Sequence, residues 1–535
     1  MVFRLAAASV LALALAAPAH AATSAPTGLK GFLLRTDEPV THVFPRTPSF
    51  AWNPIAGAKR YEFQLSTSSL FRDNGIVFSD STLRTPAASL PMTLPWITGE
   101  PYSLYARVRA VLSVGVTPWS SRFGFNMRWP TLPASAPSYP GLLRWTPVEG
   151  ARAYQVWFVD VPKVVTVHSN VIDERELYAF HQGAGWISSV RWRVRAVRWT
   201  AGGTANSLPA VSYGPWSGVY TSVNPPFAVG RLGLTASVSD TVATGAGGDP
   251  AHHLMPGFAF AGSQTLGFLS GELYRVYVFT DRDCVNVVFK GAAVGGPAYA
   301  PRPYGPLSLP TTPAELAEAR VSFLGDGENE GTHWSVDLQG VTTTEAGSEE
   351  ADTAAPDLGA AIDLWDTDWP RGGYYWTVVA VNPFVVEGRV EYAELESPQD
   401  ACAAGRVMRF GKTSEPVLTT SGAPFASGLS PAGRLVSAAT EVPRFYGTPL
   451  VAWKPVLGAD VYEVQWSKSR YPFRPAAAGL VTGSTSAMLR VRPGLWWYRV
   501  RGINYSLPTG AQQMSWSELA RLVVTEPSFR VETGR

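Results

Sequence analysis

The chain has 535 residues, of which 46% are hydrophobic, and its 44 basic and 42 acidic side chains leave a net charge of only +2. This near balance argues against the basic footprint of a nucleic-acid-binding protein. The 50 glycines and 44 prolines, with many aromatic and β-branched residues, favour short strands joined by turns, and the length predicts several domains.

Residues 1–21 have the pattern of a secretory signal peptide. Arg4 provides the charged start, residues 5–17 are apolar, and Ala-His-Ala at residues 19–21 is a small-x-small cleavage site. The apolar run is too short to span a bilayer, and no later stretch is long and apolar enough to do so. The sequence therefore predicts a secreted, extracellular protein without a transmembrane segment.

A stretch with tryptophan, proline, glycine-alanine and then an alternating apolar and polar run occurs three times. The copies begin at Trp52, Trp145 and Trp453, and their alternating runs begin at Tyr61, Tyr154 and Tyr462. Alternation with a period of two predicts a strand with one buried face, and the proline and glycine predict a turn before it. The 93 residues from Trp52 to Trp145 are the length of one β-sandwich.

Each copy is followed by a strand with two outward arginines and then by a tryptophan in a Pro-Trp-Ser or Ser-Trp-Ser triplet. The arginine pairs are Arg107 and Arg109, Arg193 and Arg195, and Arg499 and Arg501, and the tryptophans are Trp119, Trp216 and Trp516. Each tryptophan can lie between its two arginines as a cation–π ladder. The ladder is either a structural feature that recurs with the fold or an aromatic and basic ligand surface.

These signatures resemble fibronectin type III modules of the kind found in tandem on bacterial secreted and cell-surface proteins. The resemblance covers most of the chain after residue 21, in three clear copies and weakly in a fourth. It implies an all-β fold of seven-stranded Greek-key sandwiches, with the first Trp and the following Tyr in each core. Short links that contain proline predict semi-rigid joints. The predicted domains are the signal peptide at 1–21, four modules at 25–127, 128–223, 226–416 and 417–525, and a tail at 526–535.

The third module departs from this pattern. It has no arginine pair and no Pro-Trp-Ser triplet, and its Tyr strand at residues 273–279 is apolar on both faces. Tyr277 and Phe279 point away from the core face, so we expect another part of the chain to cover them or a partner to bind them. Cys284 and Cys402 also lie in this module; export favours a disulfide between them, and two free buried thiols are the alternative.

An acidic insertion at residues 311–357 interrupts the third module. Eleven acidic residues and a single basic one, Arg320, give it a net charge of −10, and its composition predicts disorder at residues 342–356. Acidic side chains at places one, three, five and twelve, with glycine at six, resemble an EF-hand calcium loop, although Glu twice replaces Asp or Asn and Asp replaces the last Glu. The stretch is either a solvated acidic turn or a calcium site formed by Asp326, Glu328, Glu330 and Asp337.

The sequence does not contain a recognisable catalytic signature. It has no Gly-x-Ser-x-Gly elbow and no phosphate-binding loop. His252 and His253 are adjacent, and neighbours on a strand point to opposite faces, so they do not predict a shared metal. A small sandwich also lacks the cleft that a pair of catalytic carboxylates needs. The carboxylates that could pair across strands are Asp281, Asp283, Asp363, Asp366 and Asp368.

The predicted function is therefore an exported, non-catalytic binding or scaffold protein of the bacterial cell envelope or exterior. Its expected partner is a protein or glycan at the cell surface. One alternative is a glycan-binding accessory protein, favoured by outward aromatic side chains such as Trp157. The other is an enzyme, with hydrolase chemistry in the third module. Calcium in the insertion is the only candidate cofactor, and nucleic acid is not an expected partner.

Overall fold

The chain forms four consecutive β-sandwich modules, which confirms the predicted all-β fold class of tandem sandwiches. No helix of the described residues is long and apolar enough to cross a membrane. The computed structural model describes residues 24–36, 38–160, 163–174, 189–202, 207–223, 232–244, 249–261, 273–291, 294, 297–300, 312–314, 343–345, 371–413, 415–419, 434–437, 442–446, 448–476, 479–505 and 512–525.

The first module consists of two packed sheets. Its strands are β1 (Lys30–Phe32), β2 (Val43–Phe44), β3 (Ser49–Ala51), β4 (Arg60–Ser66), β5 (Ile76–Leu83), β6 (Ala87–Ala88), β7 (Leu104–Val111) and β8 (Phe123–Met127), with a 3-10 turn at Asp73–Gly75. One sheet has the order β1-β3-β6, and the other has the order β2-β8-β7-β4-β5. In β4 every second side chain from Arg60 to Leu65 is buried, as the period of two predicts, and Ser66 at the end of the strand is buried as well.

The second module repeats this arrangement. Its strands are β9 (Ser135–Ala136), β10 (Leu142–Trp145), β11 (Ala153–Phe158), β12 (Lys163–Val167), β13 (Val171–Asp173), β14 (Ser189–Trp199), β15 (Val211–Tyr213) and β16 (Tyr220–Val223). The small sheet has the order β13-β10-β9. The large sheet has the order β15-β14-β11-β12, and β16 also pairs with β14.

The third module keeps the two sheets but enlarges one of them. Its elements are β17 (Gly233–Val238), β18 (Thr241–Thr244), β19 (Pro250–His252), β20 (Gly257–Ala261), β21 (Leu273–Phe279), β22 (Val287–Lys290), β23 (Ala298–Tyr299), β24 (Thr343–Glu345), β25 (Gly372–Val386), β26 (Arg389–Glu394), helix α1 (Pro398–Ala403) and β27 (Met408–Lys412). The small sheet has the order β17-β20-β23. The large one has the order β18-β19-β27-β25-β21-β22, and β26 pairs with β25.

Strand β24 belongs to the acidic insertion but pairs antiparallel with the edge of the second module, with Thr344 opposite Val164 of β12. The prediction of disorder is therefore wrong at Thr343–Glu345, because a strand edge of a neighbouring module supplies the missing hydrogen-bond partners. The other residues of that stretch lie outside the described residues.

The fourth module again has two sheets. Its strands are β28 (Arg434–Ser437), β29 (Arg444–Tyr446), β30 (Leu450–Ala452), β31 (Val461–Ser467), β32 (Leu480–Thr482), β33 (Ser486–Met488), β34 (Gly494–Ile503) and β35 (Ala520–Thr525). One sheet pairs β30 with β33, and the other has the order β28-β29-β35-β34-β31-β32.

The repeated tryptophan and tyrosine pair lies in each core, as predicted. Trp52, Trp145 and Trp453 are at most 1% exposed, and each ring contacts the tyrosine of its own module, with centroids 5.4 Å apart in all three copies. The tyrosine hydroxyl oxygen accepts a hydrogen bond from the amide six residues earlier, at 2.8–3.0 Å. This bond ties the turn to the strand that follows it.

Replacing Tyr154 with phenylalanine should therefore destabilise the second module by about 1–3 kcal/mol, because the buried amide of Val148 would lose its acceptor. Hydrogen exchange of the β11 amides measures the change. Tyr471→Phe is the control, since Tyr471 is 75% exposed and its substitution should leave β11 exchange unchanged. Equal exchange in the Tyr154 variant and the parent protein would contradict the proposed role of the hydroxyl.

The modules contact each other through apolar side chains as well as through their links. Trp52 and Trp145 belong to one apolar cluster that joins the first two modules. Phe32 of the first module packs in the cluster that contains Trp453 of the fourth. Leu142 of the second module packs in a cluster with residues of the third. The chain thus returns on itself, so that its first and last modules touch.

Candidate functional site

The predicted cation–π ladder is present in the first, second and fourth modules. Each tryptophan ring lies between the guanidinium groups of its two arginines, as the alternation of the strand requires. The distances from the two guanidinium carbons to the ring centroid are 4.2 and 4.5 Å at Trp119, 5.0 and 4.6 Å at Trp216, and 4.0 and 4.3 Å at Trp516.

A second aromatic ring packs on the first arginine of each pair. The sequence pattern did not predict these rings as part of the ladder. These contacts are Phe71 on Arg107 at 4.1 Å, Trp157 on Arg193 at 3.6 Å, and Phe473 on Arg499 at 4.4 Å. Burial, followed by the charge of the second arginine, lowers the pKa of all three of these arginines. Recurrence of the same layers in three modules supports the structural interpretation of the ladder.

Trp157 lies on the outward face of β11, but it is part of this ladder. Arg193 lies over its ring, and Trp216 meets it edge-on with centroids 5.6 Å apart. The indole is therefore engaged within its own module. That it also binds a glycan stays a prediction.

The second apolar face of β21 is covered by the chain itself. Tyr277 and Phe279 are 4% and 0% exposed and pack with α1 and the residues around it. The prediction of a partner surface at these two rings is therefore wrong, because α1 occupies the face on which a partner would bind. Cys284 and Cys402 form the predicted disulfide, with Cα atoms 6.3 Å apart, and attach α1 to this face.

The remaining candidate acids do not form a described site. The carboxylate of Asp281 accepts hydrogen bonds from the amides of Val285 and Asn286 at 3.0 and 2.7 Å, and these bonds lower its pKa. No group of three or more His, Cys, Asp or Glu that could hold a metal occurs among the described residues. The calcium candidates Asp326, Glu328, Glu330 and Asp337, and the acids Asp363, Asp366 and Asp368, lie outside the described residues.

His252 and His253 have different partners. His252 is fully buried, with Ser237 Oγ 3.0 Å from Nε2 and Ser239 Oγ 2.9 Å from Nδ1. His253 Nδ1 lies 3.1 Å from a carboxylate oxygen of Asp240. Burial is the main cause that lowers the pKa of His252 to about 4.

The stability of the third module should fall as the pH drops from about 6.5 to about 4. Unfolded histidine has a pKa near 6.5, so in this range the unfolded chain binds a proton that buried His252 does not, and the free energy of unfolding decreases by up to about 3 kcal/mol. Hydrogen exchange of the β21 amides across this pH range, corrected for the intrinsic pH dependence of exchange, measures the change. His252→Gln keeps polar partners for both serines and should make the free energy of unfolding less dependent on pH. The same pH dependence in the variant and in the parent protein would contradict the prediction.

A buried ion pair joins the second module to the fourth. Arg152 Nε donates to Asp460 Oδ1, and its Nη2 lies 2.7 Å from Oδ2; the two side chains are 2% and 0% exposed. Nη2 also donates to Asn504 Oδ1 at 3.0 Å, and the amide of Tyr505 donates to Asp460 Oδ2 at 2.7 Å. The hydroxyl of Thr93 in the first module donates to the carbonyl of Asp460. Three modules therefore meet at this pair, which we call the three-module junction.

Two further arginines cross between modules beside this junction. Arg198 of the second module donates from Nε to the carbonyl of Leu94 in the first at 2.6 Å. Burial and then the charge of Arg152 lower the pKa of Arg198 to about 9. Arg46 of the first module donates to Thr485 Oγ1 of the fourth, also at 2.6 Å. Charge-assisted hydrogen bonds therefore cross each of the three module boundaries at the junction.

A glycine allows the backbones of the first and fourth modules to approach each other closely. The amide of Gly483 donates to the carbonyl of Leu90 at 2.8 Å. A Cβ atom added at Gly483 would lie 2.0 Å from the carbonyl oxygen of Met92. A side chain at this position would therefore push the modules apart.

The repeat pattern did not predict this junction, although the sequence contains one signal for it. Arg152 and Asp460 occupy the same place of the repeat, two residues before the core tyrosine, where the first module has Lys59. Each donates its amide to a strand carbonyl at 2.8 Å, so the three positions are structurally equivalent. The signal is the opposite charge of Arg152 and Asp460 at equivalent positions of the repeat.

Comparison with known proteins does not identify a family for the chain. No protein family profile matches the chain, and no curated protein matches it. Among solved structures, the chain is similar to a segment of two fibronectin type III domains from chicken tenascin, with 13% identity over 37% of this chain and 98% of that one, at a TM-score of 0.18. It is also similar to the FN1–FN3 domains of chicken CNTN1, with 13% identity over 70% of this chain and 99% of that one, at a TM-score of 0.15. At such values these matches add nothing to the strand topology.

Proposed function

We propose that the chain is an exported, non-catalytic scaffold protein of the bacterial cell envelope or exterior. It would hold the surfaces of four sandwich modules in fixed relative positions for a protein or glycan partner. The three-module junction carries this proposal, because the buried pair of Arg152 and Asp460, with its further hydrogen bonds to Asn504 and Tyr505, forms only when the second and fourth modules face each other in one arrangement. Modules joined in this way move as one rigid body and do not reorient independently of each other.

Two features support export. The disulfide between Cys284 and Cys402 is of the kind that forms and persists in oxidising compartments. The apolar residues 5–17, after Arg4, have the composition that a secretory signal requires.

The polar groups of the third module support a non-catalytic role. His252 is enclosed between two serine hydroxyls, and the carboxylate of Asp281 is engaged by two backbone amides. Each group thus has a structural task, and neither needs a substrate to explain it.

The proposal is tested by replacing Gly483 with alanine in a protein that carries nitroxide labels at Val114→Cys in the first module and Leu495→Cys in the fourth. Both label sites are exposed, at 80% and 45%. We expect one narrow label distance in the parent protein and a broad distribution in the variant, since the added Cβ would meet the Met92 carbonyl. Pulsed electron paramagnetic resonance measures both distance distributions.

Gly218→Ala is the matched control, because no atom lies within 4 Å of a Cβ at that position. It should leave the label distance narrow. A broad distribution in the parent protein itself would show that the modules are not held together, and the scaffold proposal would fail.

A further inference from the structure

An open groove of about 630 Å³ lies where the third module meets the fourth. This is within the size range of small-ligand sites, which are usually lined by an aromatic side chain and a few convergent polar groups. The groove is lined by Arg371, Glu415, Leu418, Arg470, Trp497 and Arg521, among others.

The indole of Trp497 is brought to the groove by the alternation of β34. Trp496 and Tyr498 on either side of it are buried, so Trp497 projects from the opposite face of the sheet. Arg521 is its direct cross-strand partner on β35. The guanidinium of Arg470 lies 5.3 Å from a ring centroid of Trp497. An aromatic ring with two neighbouring arginines thus lies at the wall of an open groove.

The same place of the repeat is closed in the first module. Tyr105 stands there, and its cross-strand partner is Gly124. The ring of Tyr102 packs so closely on Gly124 that a Cβ there would lie 2.2 Å from it, and Tyr105 is only 9% exposed. The open groove is therefore not a general consequence of the sandwich fold.

The second module also differs at this place. Arg191 stands there, and an ion pair with Asp160 engages it. A tryptophan on an open groove is thus particular to the fourth module among the three clear copies.

The charges around the groove favour an acidic ligand that also has hydroxyl groups. Arg371 of the third module pairs with Glu415 at 3.1 Å and approaches Glu518 at 3.5 Å. Arg470 makes no ion pair among the described residues, and its guanidinium lies over the rings of Tyr471 and Trp497. Guanidinium groups bind carboxylates through paired hydrogen bonds, and the two glutamates can accept hydrogen bonds from hydroxyl groups.

We propose that this groove binds a saccharide chain that carries carboxylate groups. The flat indole of Trp497 can pack against the C–H groups of a sugar ring with the face that Arg470 does not cover. Arg470 and Arg521 lie beside it, where they can bind the carboxylate of the same or the next sugar. This inference rests on the proposed binding function and deepens it by naming a ligand class and a site.

The test is calorimetric titration of the intact protein with hexameric galacturonate, at low and at high salt. We expect binding that weakens with salt, and a loss of about tenfold or more in affinity for both Trp497→Ala and Arg470→Gln. Arg470 is exposed, so its variant should fold even if the tryptophan variant does not. Arg191→Gln, at the equivalent place of the second module, is the matched control and should bind as the parent does.

Three results would overturn the inference: no heat of binding with the galacturonate hexamer, equal affinity for a neutral glucan hexamer, or equal affinity for a glutamate hexapeptide. Binding that persists unchanged in both variants would place the site elsewhere and overturn it as well. The label distance between the first and fourth modules is independent of all four results. A failed ligand site with a narrow distance therefore leaves the scaffold proposal intact, whereas a broad distance removes the scaffold.

Discussion

Replacing Asp460 with alanine should destabilise the protein by about 3–5 kcal/mol. The substitution leaves the guanidinium of Arg152 buried at 2% exposure without its carboxylate, and the amide of Tyr505 also loses an acceptor. Because four modules do not unfold as one two-state unit, hydrogen exchange of the β11 and β31 amides is the appropriate measurement. Faster exchange is expected in both strands, one in each partner module.

Two control variants distinguish the cost of an unpaired buried charge from the cost of a lost contact between modules. Asp160→Ala removes an exposed ion pair with Arg191 on the second module and should leave exchange unchanged. The double variant Arg152→Met with Asp460→Leu replaces the buried pair by apolar side chains and should recover part of the loss. If Asp460→Ala costs less than about 1 kcal/mol, the junction does not hold the modules together.

Removing the disulfide by Cys284→Ala and Cys402→Ala should cost about 4.7 kcal/mol in the chain-entropy account, which gives this value for a loop of roughly one hundred residues. The bridge spans 118 positions and attaches α1 over Tyr277 and Phe279. The loss should be confined to the third module. Exchange of the β21 amides measures it.

The variant Ser397→Ala distinguishes the contribution of the α1 cap to stability from the contribution of the disulfide. Ser397 caps α1 by accepting a hydrogen bond from the amide of Asp400, so its loss should cost about 1 kcal/mol with the disulfide intact. Reduction of the parent protein should reproduce the effect of the double cysteine variant. Two free thiols in the parent protein, purified without reductant and unfolded before titration, would contradict the bridge.

The local features of the fold could be predicted because their causes lie within one repeat. Burial of Trp145 and its contact with Tyr154 follow from the period-two pattern and from the turn between them. The place of Trp119 between Arg107 and Arg109 follows from the same alternation, since side chains on one face of neighbouring strands must meet.

Contacts between modules could not be predicted in this way. Arg152 and Asp460 are 308 positions apart, and no periodicity says which modules face each other. Tyr277 was correctly placed on a second apolar face, yet the pattern did not say that α1 would cover it. Trp497 was part of a recognised signature, but its groove also depends on Arg371 of a different module. Relative placement of modules depends on surface complementarity, which a repeat pattern does not encode.

The hydrogen bond from Thr93 to Asp460 spans 367 positions and has a consequence for the order of events during synthesis. The first two modules are complete long before Asp460 is made, and until then water hydrates Arg152 at little cost. Closure comes late, because Asp460 lies 308 positions after Arg152 and cannot pair with it before the fourth module is made. Completion of the last module therefore converts a hydrated cation at the surface into an interior one. An unfinished chain therefore exposes a cation that the finished chain buries.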